Sequence, residues 1–135
     1  MALLLALTST LPACTARAEP EVIGEVYTGA GAGTLGVDGS MDTSPTAGWV
    51  EPGQRFYVTT YGSSSCPAAP TALALDGDRL RVTMTRIGGP ACTADLGPTS
   101  YALALPHELQ GSERVAVILE LGDGASAELL LEPGD

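Results

Sequence analysis

Between Leu80 and Thr85 the chain reads Leu-Arg-Val-Thr-Met-Thr, a strict alternation of apolar and polar residues. Successive side chains leave a β-strand on opposite faces, so Leu80, Val82 and Met84 share one face and Arg81, Thr83 and Thr85 the other. A helix would scatter the same residues around its circumference, so this stretch is committed to a half-buried sheet. Residues 54–61 repeat the pattern, with Phe56, Val58 and Thr60 pointing one way and Arg55, Tyr57, Thr59 and Tyr61 the other. Thr, Val and Tyr suit such a pleated surface. Ahead of Leu80, Asp76-Gly77-Asp78 follows the short apolar run Ala72–Leu75. Glycine accepts positive φ without steric cost, so the two runs are expected to pair as a hairpin.

Further along, Tyr101, Leu103 and Leu105 alternate with Ala102 and Ala104. Val115, Val117, Leu119 and Leu121 share a face opposite Ala116 and Ile118, as in a well-covered central strand. Gly122-Asp123-Gly124 turns the chain, and residues 125–131 return as the hairpin partner. A single turn near His107–Gln110 is the one place with any helical character. About seven short strands separated by turn signals predict an all-β chain, an immunoglobulin-like β-sandwich carrying one disulfide, with a small barrel as the alternative. A length of 135 residues suits one domain. Hydrophobic residues make up 44% but aromatics only 4%, so the core must be built mainly from Leu, Val, Ile and Ala.

The chain opens on an apolar run, residues 2–7, too short to span a bilayer and placed as the core of an export signal. Two processing sites compete after it. Leu11-Pro12-Ala13-Cys14 is lipobox-like, which would lipidate Cys14, although its proline is atypical. Ala16-Arg17-Ala18 fits ordinary cleavage before Glu19. The lipobox is favoured of the two. Either route removes Cys14 from the pairing of the three cysteines, leaving Cys66 and Cys92 as one disulfide in an exported chain. Neither is in a C-x-x-C spacing nor near the histidine, so a redox or metal pair is disfavoured. Closing that loop is worth roughly 3–4 kcal/mol in the chain-entropy picture.

Residues 19–48 change character. Val22, Ile23, Val26 and Tyr27 can make one strand, and the rest is rich in Gly, Ala and Thr. Gly29-Ala30-Gly31-Ala32-Gly33 lacks the Lys-Ser/Thr ending of a phosphate loop, so a linker is the better reading. The expected organisation is therefore an export signal at 1–18, an arm at 19–48 and the sandwich at 49–135.

Tyr61-Gly62-Ser63-Ser64-Ser65-Cys66-Pro67, Pro90-Ala91-Cys92-Thr93-Ala94-Asp95-Leu96 and Tyr101-Ala102-Leu103-Ala104-Leu105-Pro106 together resemble a group of small exported proteins and lipoproteins of high-GC Gram-positive bacteria. The resemblance covers about half the chain. It implies paired cysteines and a place in the cell envelope, at the outer face of the cytoplasmic membrane or outside the cell. It brings no activity and no catalytic residues to transfer.

Chemistry-bearing residues are sparse. With six arginines, no lysine and a net charge of −10, the surface repels phosphate backbones and anionic membranes. His107, the one histidine, would need a nucleophile and an orienting acid brought to it, and Ser63, Ser64 and Ser65 do not stand in a Gly-x-Ser-x-Gly elbow. Met84 lies on the apolar face and reads as core, while Asp76 and Asp78 read as turn residues rather than calcium ligands. Asp95, Glu108 and Glu113 show no glycosidase spacing. No catalytic residue, metal or cofactor is assigned. The expected function is a monomeric, non-catalytic envelope module that binds a protein or a glycan, tethered by a lipid anchor if Cys14 is modified. The alternative is a small hydrolase or ligand-handling protein with a loop-built site. The loops expected to bind carry Ser63, Ser64, Ser65, Thr93 and Asp95, at one end of the sandwich beside the disulfide.

Overall fold

The computed structural model describes residues 18–30 and 39–134. All of the expected export signal except Ala18, Cys14 included, lies outside them, as does the middle of the glycine-rich arm. Eight strands follow in order: β1 (Glu25–Val26), β2 (Thr46–Glu51), β3 (Arg55–Gly62), β4 (Ala68–Asp76), β5 (Arg79–Arg86), β6 (Gly97–Ala104), β7 (Val115–Glu120) and β8 (Ser126–Leu131). Among the described residues there is no α-helix, and the single turn expected near His107 is a 3₁₀ turn, His107–Leu109. The strands form two four-stranded sheets, ordered β1-β6-β3-β2 and β4-β5-β7-β8.

The alternation in the sequence becomes the core. Leu80, Val82 and Met84 of β5 and Val115, Val117 and Leu119 of β7 are buried, and pack with Phe56 and Val58 of β3, Trp49 of β2, Leu103 of β6 and Leu131 of β8. Aliphatic side chains dominate this core, as the shortage of aromatics requires. The Asp76 hairpin closes as expected. Asp76 pairs with Arg79, which leaves a two-residue loop whose first residue, Gly77, takes φ +65°. Glycine in that position is the signature of a turn whose twist matches its strands. Pro70 has no N–H to give, which is tolerated because β4 is an edge strand, and the register slips beside it between Pro70 and Ala72.

Four features differ from the sequence reading or go beyond it. Thr59, expected on the outer face of its strand, is buried. β3 is an internal strand, and its Thr59 hydroxyl is satisfied by the Ser100 hydroxyl opposite, at 2.6 Å. The arm is also tied into the sheets at both ends. Glu25 and Val26 pair with Ala102 and Tyr101, the Ile23 N–H donates to the Pro70 carbonyl at 2.8 Å, and Ile23 packs on the core. This short segment bridges β6 of one sheet and β4 of the other. The boundary expected at residue 49 falls inside β2, because Thr46 to Gly48 already pair with β3. Finally, β5 and β7 run parallel, with Leu80 opposite Val117 through Thr83 opposite Glu120. The chain leaves β5, passes through the other sheet as β6, and returns alongside β5 in the same direction.

That parallel pair places the exits of β5 and β7 at one end, where β3 also finishes. The turns at Glu51–Arg55 and Asp76–Arg79 and the His107 turn lie at the other.

Candidate functional site

Cys66 follows β3 by a short loop and Cys92 follows β5, and the two are bonded, with Cα atoms 5.5 Å apart. The bond joins an exit of one sheet to an exit of the other. Backbone contacts reinforce it: the Ile87 N–H donates to the Pro67 carbonyl at 3.0 Å. Gly88 adopts φ +114° so close to Cys66 that any Cβ there would collide with the Ser65 carbonyl oxygen.

Around the disulfide the two loops are laced by hydroxyls. Thr93 is the hub. Its Oγ1 lies 2.9 Å from Ser63 Oγ and 3.1 Å from Ser65 Oγ, and it donates to Asp95 Oδ1 in a short hydrogen bond. The Thr93 N–H donates to Ser65 Oγ at 2.9 Å, and the Ser64 N–H donates to Asp95 Oδ1 at 3.1 Å. Ser64, side chain first, together with the Thr93 hydroxyl and the Ser64 amide, holds the Asp95 carboxyl down to about 2 by bonding its ionised form. The five residues singled out for binding loops are thus brought together from two separate connections. Ser63 is buried, while Ser64, Ser65, Thr93 and Asp95 are exposed. Because the hydroxyls and the carboxylate satisfy one another, the cluster acts first as a lock that fixes the shape of this end.

Beside the lock an open groove of about 1000 Å³ runs between Tyr61, Gly62, Ser63 and Cys66, the last residues of β5 and the turn at Leu121–Ser126. Arg81, which lines it, bridges Glu120, also of the lining, to Asp76 of the far hairpin, each at 2.6 Å, and Thr83 donates to the second oxygen of Glu120 at 3.3 Å. The guanidinium beside it keeps the Asp76 carboxyl below its ordinary value. Arg86 stands at the rim, exposed. The sequence offered no signal for this groove, because it exists only where β7 is brought parallel to β5, a long-range pairing that periodicity does not encode.

The other candidates fall elsewhere. His107 is exposed on its 3₁₀ turn, after β6 has crossed the sheet away from the serines. From Gly97 to Ala104 that strand covers roughly 23 Å at the usual rise per residue. Histidine and serines therefore sit at opposite ends and cannot form a nucleophile–base pair. Met84 is buried in the core, and Glu108 and Glu113 lie near His107, away from Asp95. Among the described residues no group of three or more His, Cys, Asp or Glu side chains is placed to hold a metal ion.

Fold and site together define an all-β domain of two packed sheets, with a disulfide-locked loop end and an adjoining polar groove. No family model, no curated protein and no solved structure matches the chain.

Proposed function

We propose that this chain is an exported module, tethered at the outer face of the membrane through Cys14, that binds an envelope protein or glycan and catalyses no reaction on it. The observation that carries the reading is the loop end itself. A disulfide and a self-satisfied hydroxyl cluster tie two loops together, one of which lines an open groove through Ser63 and Cys66, and pre-shaped loops on a stiff scaffold are how β-sheet domains commonly present a binding surface. Immunoglobulin-like is the nearest description of such a build, with the parallel β5–β7 pair as this chain's own departure from it. Binding is favoured over hydrolysis because the one histidine lies at the far end from the serines. Export is supported by the apolar start, the lipobox-like Cys14, the resemblance of the cysteine loops to exported proteins, and a disulfide, which persists in oxidising compartments. Among the described residues no helix is long and apolar enough to cross a membrane.

The test is capture from envelope extracts by the full chain and two variants. Asp95→Arg, at the locked end, should lose the retained partner, and Glu108→Arg, at the opposite end, should keep it. No specific retention by the wild-type chain, or equal retention by both variants, overturns the binding reading. Metabolic fatty-acid labelling that survives Cys14→Ser overturns the tether.

A further inference from the structure

β5 is longer than its parallel neighbour. The β5–β7 ladder ends at Thr83 opposite Glu120, yet β5 continues as a strand through Met84, Thr85 and Arg86, held on its other side by β4 up to Arg86 opposite Ala68. After Glu120 the chain folds back on itself, Leu121 N–H to Ala125 carbonyl and Ala125 N–H to Gly122 carbonyl, both at 2.9 Å, and does not extend the ladder. The space where three more residues of a β7-like strand would run is the groove of about 1000 Å³, walled by Tyr61, Ser63 and the Gly122–Ser126 turn. A strand edge left open beside a cavity is a template for added main chain.

Charge narrows what fits. Arg55, Arg79, Arg81 and Arg114 each stand in an ion pair with a carboxylate, whereas among the described residues no side-chain hydrogen bond or ion pair holds the Arg86 guanidinium. Glu19 lines an adjoining cavity with Arg86 but makes no ion pair with it. Among the described residues this leaves Arg86 as the guanidinium without a carboxylate partner, at the end of the open strand edge of a chain of net charge −10. Glu120 and Asp123 line the same groove and would repel a ligand carrying several negative charges. The fit is to one carboxylate on an otherwise neutral extended chain.

We infer that the groove takes the carboxy-terminal residues of an extended, uncharged peptide, its main chain lying along Met84–Arg86 where β7 stops and its terminal carboxylate on Arg86. Planar guanidinium and carboxylate match in a two-pronged hydrogen bond, and the open edge supplies main-chain donors and acceptors to the preceding residues. The proposal rests on the binding-module reading and names its ligand.

The probe is an equimolar pool of N-acetylated tripeptides built from Val, Thr, Ala and Ser, as free acids and as carboxamides, titrated into the isotope-labelled chain. The acids should shift the backbone amide signals of Met84–Arg86 and Gly122–Ala125. The carboxamides should bind about tenfold more weakly, and Arg86→Gln should bring the acids down to the carboxamides' affinity. Arg86 is exposed at a strand end, so this variant keeps its fold, seen as unchanged signals from Leu80 and Val117. Absence of shifts at those residues, equal binding of acid and carboxamide, or unchanged binding by the variant would overturn the inference. So would glucuronate or inorganic phosphate shifting the same signals as strongly, since the site would then read a bare anion. Envelope capture that persists when the tripeptides fail removes this ligand and leaves the module. Tripeptide binding without any envelope capture does the reverse.

Discussion

At one end of the two sheets the chain is closed by backbone. The Leu105 N–H donates to the Gln54 carbonyl at 2.8 Å, and the Gly111 N–H to the Gly53 carbonyl at 2.9 Å. Gly53, at φ +72°, brings its own backbone so near Gly111 that an added Cβ would lie 3.1 Å from the Gly111 Cα. At the other end backbone bonds such as Ile87 N–H to the Pro67 carbonyl are joined by side chains: the cystine, the Thr93 hub with its serines, and Asp95. Backbone closure demands only the right turn residues and leaves the neighbouring side chains free to vary. Closure by side chains fixes residue types, and so gathers hydroxyls and a carboxylate in one place, near an arginine that has no carboxylate partner among the described residues. The end that costs more in sequence is the one that offers chemistry.

Both ends hang on one core, and the largest effect tests that premise. Val82 is fully buried between the sheets, so Val82→Asp places an unpaired carboxylate in apolar surroundings. It should cost several kcal/mol, roughly 3 or more, and unfold the domain, read as loss of sheet by circular dichroism. Thr83, one residue on and half-buried, faces outward and donates to Glu120. Thr83→Asp should cost about 1 kcal/mol, from the lost hydrogen bond and the like charge beside Glu120. Equal damage from the two would mean that the sheets do not share a single dry interior, and the contrast between the ends would lose its basis.

Removing the staple comes next in size. Replacing Cys66 and Cys92 together by serine opens a loop with a sequence separation of 26 residues. The chain-entropy estimate for that loop is about 3.5 kcal/mol, to be read as a lower urea midpoint. Amide exchange should quicken first at Ser64, Thr93 and Ile87, while Leu105 and Gly111 keep their protection until global unfolding. Uniform loosening of both ends would show that the backbone-closed end depends on the cystine as well.

The same contrast explains what the sequence made legible. Strand faces such as Leu80–Val82–Met84, the Gly77 and Gly122–Gly124 turns and the cysteine pair follow from local rules, because period and turn chemistry act over a few residues. Loop residues beside the cysteines could be singled out, since a disulfide drags its neighbours together. What periodicity could not supply was pairing at long range. The parallel β5–β7 ladder joins residues 80–83 to 117–120 across an intervening strand of the other sheet, and the groove and the isolation of Arg86 both derive from it. Val22, Ile23, Val26 and Tyr27 read as one strand, of which Glu25–Val26 forms, and their composition gives no sign that Ile23 reaches Pro70 and closes the gap between the sheets.

The smallest effect isolates the lock from the staple. Asp95 is exposed, and Ser64 and Thr93 hold its carboxyl at about 2 in the folded chain, against about 3.9 when unfolded. A carboxyl depressed on folding contributes stability that is fully present above the unfolded value and is lost as the pH falls through the folded one. Asp95→Asn keeps the shape but cannot ionise, so it forgoes that contribution at every pH. Wild type should therefore be the more stable by the larger margin above about pH 5, and the margin should shrink as the pH drops from about 4 towards 2. All other carboxyls are common to both chains and cancel in the difference. Urea midpoints for the pair at pH 6 and near pH 2 read it directly. A margin that stays constant across that interval would mean that the Ser64 and Thr93 bonds do not favour the ionised form. The loop end would then owe its order to the cystine alone.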